Sequence, residues 1–208
     1  MQLLCNLILV EGTLDQSAAD QLSGIIQRSL AALATLEASD EKDSATSMCL
    51  NLLGRMATLT SIGTDTDATA NIVGGFMDDI STSDTVMASA ISCIGGMASS
   101  ANGVRSIART GMVGRVQKKA HNKGKHAGVN KTDEVATTAT SAMEVIRNQA
   151  VSNAATLVGT DGGASALAAV LMGIDDKKIM HQTLEQIINH EGGLQILLDA
   201  LCELRDDN

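Results

Sequence analysis

The chain has 208 residues, is 44% hydrophobic and carries a formal net charge of −9, so it can bury a core of its own. It contains no Trp, Tyr or Pro and one Phe, which excludes an aromatic base-stacking site and an aromatic groove for Pro-rich peptides. A core of Ala, Leu, Ile, Val and Met favours helices over strands and predicts an all-α protein.

The chain begins with an apolar stretch, residues 1–11, that we expect to form the last helix of an incomplete repeat. This stretch has no basic leader or cleavage site, and it is too short to span a bilayer. No other segment of the sequence is long enough to do so. We therefore expect a soluble, intracellular and cytoplasmic protein without a membrane span.

The spacing of apolar residues then predicts helices along the rest of the chain. Between 83 and 119, Ser83 or Asp84 can cap a helix, a short helix follows, and Gly111 turns the chain because glycine accepts a positive φ. The predicted ranges are 15–23, 24–37, 43–60, 66–73, 75–81, 83–99, 101–109, 111–121, 132–150, 153–160, 163–173, 177–190 and 193–205.

A glycine phrase recurs between these helices. Asp161-Gly162-Gly163 and the apolar run after it are echoed by Glu191-Gly192-Gly193 and its own apolar run. Weaker echoes surround three further glycines, and the mean spacing of the five is about 42 residues, within the range of armadillo and HEAT repeats. The glycines taken as anchors are Gly24, Gly75, Gly111, Gly163 and Gly193.

The order of elements resembles the armadillo repeat, in which a short helix, a glycine and a second helix precede a longer third helix. The third helix of that family ends in a pattern like A-L-x-N-L-A, and residues 90–98, 48–57 and 3–7 are similar to it. Two features depart from the family: no Pro begins the second helices, and the last interval is too short for three helices, as in a HEAT-like unit.

The resemblance implies a right-handed α-solenoid of armadillo/HEAT-like repeats over residues 1–208. We expect about four full repeats with partial repeats at both ends, and we interpret the chain as a piece of a longer array. A complete protein with irregular termini is the alternative interpretation. The sequence leaves the oligomeric state open.

In armadillo arrays the third helices line a concave groove, so the resemblance implies that a partner segment binds there. The importin-α type uses a Trp and, four residues on, an Asn that holds the partner's backbone. This chain has no Trp, which argues against a nuclear-import receptor, and its polar groove positions could also be ordinary exposed helix residues. The candidate groove residues are Gln2, Asn6, Asn51, Arg55, Ser92, Glu144, Arg147 and Asn148.

Positive charge is concentrated between residues 105 and 131, which contain eight Lys or Arg and no Asp or Glu. This basic patch could bind an acidic protein surface, or it could be only a solvated loop. Nucleic acid is not favoured, because the rest of the chain is strongly acidic and would repel phosphates. The basic residues are Arg105, Arg109, Arg115, Lys118, Lys119, Lys123, Lys125 and Lys131.

No catalytic or cofactor motif is present, so we expect neither an enzyme nor a cofactor or metal site. The four cysteines, Cys5, Cys49, Cys93 and Cys202, lack metal-type spacing and are interpreted as buried free thiols. The sequence predicts a protein–protein interaction scaffold that binds a partner segment along the groove. Two alternatives remain: an adaptor or chaperone-type module that docks a folded partner through its convex face or basic loop, and a structural spacer in a larger assembly.

Overall fold

The computed structural model describes residues 16–59, 66–121, 134–172 and 177–206. Within these ranges the chain forms eleven helices and no strand, which confirms the predicted all-α class. None of these helices is both long enough and apolar enough to cross a membrane. The helices are α1 Gln16–Ala34, α2 Asp40–Leu59, α3 Thr66–Asp78, α4 Asp84–Met97, α5 Ala101–Arg109, α6 Met112–His121, α7 Glu134–Ser152, α8 Ala154–Val158, α9 Gly163–Leu171, α10 Lys177–Ile188 and α11 Gly193–Asp206.

The predicted breaks at Gly24 and Gly75 are wrong, because α1 and α3 each continue through their glycine. A glycine inside a helix costs about 1 kcal/mol relative to alanine. Burial of apolar side chains on both sides of it offsets that cost, as with Ile26 after Gly24 and Met77 after Gly75. The predicted first helix, residues 1–11, lies outside the described residues.

Three turns between helices depend on a glycine with positive φ: +72° at Gly111, +68° at Gly162 and +70° at Gly192. The turn predicted at Gly111 is confirmed. In the two Gly-Gly phrases the positive φ belongs to the first glycine, and the second begins α9 or α11. The recurring phrase therefore encodes a turn followed at once by an apolar helix.

The N-terminus of α4 is fixed as the sequence predicts. The Ser83 hydroxyl accepts a hydrogen bond from the Val86 amide at 3.4 Å and so occupies the N-cap. α4 itself is buried on most of its circumference, because it packs against α2, α3 and α7. It is the central helix of this part of the molecule.

The long helices α2 and α4 lie side by side and run parallel. Asn51 meets Ser89 and Ala57 meets Ser99, so contacts advance along both helices in the same direction. α4 in turn packs against α7, and α7 packs against α6. Towards the end of the chain, α9 packs against both α5 and α11.

The apolar core is continuous through these helices and consists of aliphatic residues, Met and Cys. Cys49 and Cys93 are buried, as predicted, and neither forms a disulfide within the described residues. Burial raises the pKa of Cys93 to about 12. The prediction that Cys202 is buried is wrong, because this residue is exposed on α11, the last helix of the described chain. Cys5 lies outside the described residues.

Candidate functional site

The close approach of α2 and α4 depends on glycines at the point where the helices touch. A Cβ on Gly96 would overlap the carbonyl oxygen of Gly54, and a Cβ on Gly54 would lie 2.9 Å from the Cα of Cys93. On its other side α4 meets α7 at Gly95, where an added Cβ would lie 3.3 Å from the Cβ of Ala142. These small residues let the helix backbones approach closely and form a nearly continuous surface.

Two hydrogen bonds join α2 to α4 on either side of the glycine contact. The Asn51 amide donates through Nδ2 to the Ser89 hydroxyl at 3.4 Å. The Ser99 hydroxyl donates to the carbonyl oxygen of Ala57 at 2.8 Å. Because Asn51 donates inward, its amide oxygen remains available as an acceptor at the exposed surface.

A groove of about 1260 Å³ follows this surface and is bordered by α2, α4 and residues 138–145 of α7. Its lining is mainly small and polar, with few apolar side chains larger than alanine, among them Met48, Leu52 and Val145. Hydroxyl and amide groups both donate and accept hydrogen bonds, so the lining suits a polar occupant. The uncharged polar side chains are Ser44, Ser47, Asn51, Thr58, Ser83, Thr85, Ser92, Ser99, Thr138 and Ser141.

The charges that line the groove are separated along α2. Asp40 and Asp43 lie in the first turn of the helix, and Arg55 lies in its second half. A helix rises 1.5 Å per residue, so roughly 18–22 Å separate the Cα atoms of the two aspartates from that of Arg55 along the helix axis. None of the three takes part in an ion pair within the described residues.

Neighbouring charges at the acidic end, by contrast, have contacts of their own. The Lys42 ammonium group donates to the carbonyl oxygen of Leu36 at 2.7 Å. The Ser81 hydroxyl and amide both donate to the Asp79 carboxylate, and these hydrogen bonds lower the pKa of Asp79. Asp40 and Asp43 are therefore the carboxylates that face the groove.

Ser47 lines the groove one turn after Asp43 with only 8% of its surface exposed. Its hydroxyl forms no hydrogen bond within the described part of the chain. A buried hydroxyl without a partner costs about 1–3 kcal/mol. An occupant of the groove that offered a donor or acceptor here would recover part of that cost.

Three of the candidate groove residues, Asn51, Arg55 and Ser92, lie together in the groove and are exposed. Glu144, Arg147 and Asn148 lie on α7 but do not line the groove. Arg147 and Asn148 lie beyond Val145, the last lining residue of α7, whereas Glu144 lies beside that residue in sequence but outside the lining. Gln2 and Asn6 lie outside the described residues.

Sequence reasoning missed most of the hydroxyl groups of the groove. Ser44, Ser47 and Thr58 share one face of α2 with Asn51 and Arg55, because they are spaced by three or four residues. That spacing is visible in the sequence and could have revealed them. The hydroxyls that α4 contributes depend on its register against α2, which the sequence alone does not give.

The described part of the basic patch lies on α5 and α6, away from the groove, and two of its arginines are paired with carboxylates. Arg109 forms an ion pair with Asp67, and Arg115 forms one with Asp78 at 2.8 Å. Arg105 donates to the carbonyl oxygen of Asp161 at 3.3 Å. Lys118 and Lys119 lie on α6, while Lys123, Lys125 and Lys131 lie outside the described residues.

Among the described residues no group of three or more His, Cys, Asp or Glu could hold a metal ion. No family model, curated protein or solved structure matches the chain. The geometry of the groove is therefore the main basis for assigning a function.

Proposed function

We propose that the chain is a protein-interaction scaffold that binds an extended segment of another protein along the groove between α2, α4 and α7. We propose further that its helices form a right-handed α-solenoid of armadillo/HEAT-like repeats. One observation carries the proposal. Three of the helices that the repeat pattern predicts as third helices, residues 43–60, 83–99 and 132–150, correspond to α2, α4 and α7, which border a single groove. Of the other two, residues 1–11 lie outside the described residues, and 177–190 corresponds to α10, which does not line the groove.

The chemistry of the lining supports an extended segment as the occupant. An extended backbone presents N–H and C=O groups that need partners, and side-chain hydroxyls and amides supply both donors and acceptors. The Asn51 amide already donates to Ser89, so its oxygen is placed to accept a main-chain N–H. The proposed activity is binding alone, without a chemical reaction.

The test uses peptides selected from a random-sequence phage library on the immobilised protein. Their affinities are then measured by fluorescence anisotropy against wild type and Ser92→Trp, which places a large side chain on the exposed groove surface. Ser165→Trp is the matched control, because Ser165 is also exposed but lies on α9, outside the groove.

We expect Ser92→Trp to weaken binding at least about tenfold and Ser165→Trp to leave it unchanged. Peptides that bind all three proteins equally would contradict the proposal, and so would a selection that yields no binding peptide. Asn51→Ala should weaken binding by a smaller factor, since it removes one acceptor and leaves the groove open.

A further inference from the structure

We infer that the segment in the groove runs along α2 and α4 and carries complementary charges at its two ends. A Lys or Arg would lie at the Asp40–Asp43 end, and an Asp or Glu would lie near Arg55. The inference rests on the proposed function. It adds that the partner segment lies parallel to the axis of α2 and that it carries a basic residue near one end and an acidic residue near the other.

The positions of the charged side chains indicate that the partner segment lies along α2. All three charged side chains that line the groove belong to α2, while α4 and α7 contribute hydroxyls, glycines and apolar residues. A segment that crossed the helices would pass one end of this charge pair and miss the other. A segment that follows α2 meets both ends in turn.

The charges are also available to a partner. Asp40, Asp43 and Arg55 form no ion pair within the described residues, and the ammonium group of Lys42 is directed at the Leu36 carbonyl instead. The negative end of the groove attracts a basic residue of the ligand, and the positive end attracts an acidic one. A ligand with the same charge at both ends is repelled at one of them.

The length of the groove sets the spacing of the ligand charges. An extended chain advances about 3.3 Å per residue, so a separation of roughly 18–22 Å corresponds to about six residues. A helical ligand is disfavoured, because binding of an amphipathic helix needs a continuous apolar groove. Of the residues that line this groove, those with apolar side chains larger than alanine are Met48, Leu52 and Val145, and polar residues lie between them.

The middle of the groove offers hydrogen bonds to the backbone of such a segment. Ser47 has a buried hydroxyl without a partner, and Asn51, one turn further along the same face of α2, has a free amide oxygen. Both lie between the acidic end and Arg55. A main chain that passed between the two charged ends would bring its N–H and C=O groups to these side chains.

The experiment uses synthetic fluorescent peptides with the same neutral Gly/Ser/Ala residues and different charges. One peptide has Lys and Asp separated by about six residues, a second has the two side by side, and a third has two Lys at the wide spacing. Anisotropy gives their affinities for wild type, for Ser92→Trp, for Arg55→Glu and for the double variant Asp40→Asn, Asp43→Asn. Helical content and the unfolding midpoint of each variant confirm that it folds.

We expect wild type to prefer the widely spaced Lys–Asp peptide by about three- to tenfold, a preference that high salt removes. Arg55→Glu should reverse the order and favour the peptide with two Lys residues. The double variant should lose the preference for the wide spacing over the adjacent one, because only the Arg55 end of its groove remains charged. This reversal is a result that a merely structural role of Arg55 would not produce.

Two other results would overturn the inference, and they differ in what they imply for the proposed function. Binding that Ser92→Trp abolishes but that ignores charge and spacing would overturn the inference and leave groove binding intact. Binding that is unaffected by Ser92→Trp, or no binding at millimolar peptide, would overturn the inference and count against groove binding as well.

Discussion

The groove and the arginine-bearing side of the molecule, α5 and α6, use charged residues in different ways. On α5 and α6, Arg109 and Arg115 are paired with carboxylates of α3, so their charges join neighbouring helices. In the groove, Arg55 and the two aspartates of α2 have no such partners among the described residues. A high density of Lys and Arg in the sequence therefore does not show which charged side chains are available to a partner. The arginines of the basic patch are largely paired, whereas the isolated Arg55 forms no ion pair within the described residues.

The two sides also differ in how their helices are held together. In the groove, α2 and α4 touch through glycine backbones, and hydrogen bonds lie on either side of the contact. Between α3 and α5, the Asp67 carboxylate accepts from both the Ser106 hydroxyl and Arg109. Substitutions in the two regions should therefore have different consequences.

The largest expected effect comes from Gly96→Ala. Its Cβ would collide with the Gly54 carbonyl, which is backbone and cannot rotate away, so the free energy of unfolding should fall by about 3 kcal/mol. Gly75→Ala on α3 is the control, because its Cβ would meet no atom within 4 Å and should raise stability by about 0.5–1 kcal/mol. Urea denaturation measures both, and equal effects would refute the backbone contact.

The second prediction concerns Cys93, which lies in the same interface. Its pKa in the folded protein is about 12 against an ordinary value of 9.0, so the unfolded chain releases the proton first as pH rises. The Cys93 contribution is complete below pH 9 and should be lost above it, by up to about 1.4 kcal/mol per pH unit, until pH approaches 12. The free energy of unfolding of wild type and of Cys93→Ala, measured between about pH 8 and pH 11, isolates the contribution of the Cys93 thiol. Equal declines with pH in the two proteins would contradict the prediction.

A smaller effect should distinguish two serines of the groove. Ser99→Ala removes the hydrogen bond to the Ala57 carbonyl and should cost about 1 kcal/mol in the free energy of unfolding. Ser92→Ala changes an exposed groove residue and should leave stability within about 0.5 kcal/mol of wild type. If Ser92→Ala proved the more destabilising, Ser92 would have a structural role that its exposure does not indicate.

The smallest expected effect concerns the difference between a paired arginine, Arg109, and one without an ion pair among the described residues, Arg55. Arg109→Gln breaks the pair with Asp67, but the Arg109 side chain is 62% exposed, so the cost should be only about 0.5 kcal/mol and should shrink in high salt. Arg55→Gln should change neither stability nor its salt dependence. A salt-dependent loss at Arg55 would mean that its charge is already used within the fold.

The sequence predicts the helices well because their signals are local. The absence of Trp, Tyr and Pro indicates the all-α class, Ser83 caps α4, and Gly111 forms its turn. It fails at Gly24 and Gly75, where burial of neighbouring residues overrides the helix-breaking tendency of glycine. It also fails at Cys202, whose helix has an apolar pattern but leaves that side chain exposed.

The candidate site is predictable where residues share one helix face and unpredictable where helices must meet. The groove positions that the resemblance to armadillo repeats implies include Asn51, Arg55 and Ser92, and these three line the groove. Ser44, Ser47 and Thr58 share a helix face with the first two, so their spacing along α2 makes them predictable as well. The contact between Gly54 and Gly96 depends on how α2 and α4 are aligned in the folded protein. In the sequence, each glycine indicates only a residue of low helix propensity. The limit of the groove along α7, beyond which Asn148 lies, and the absence of Glu144 from the lining likewise depend on how the helices are arranged in space.

The glycine contact between α2 and α4 has a thermodynamic consequence for recognition. Because the two helices touch through backbone atoms, no rotatable side chain at the contact sets the width of the groove. The receptor surface is thus preorganised, and the conformational entropy lost on association comes mainly from the ligand. A partner segment already biased toward an extended conformation, for example by proline, should bind more tightly than a flexible one with the same contacts.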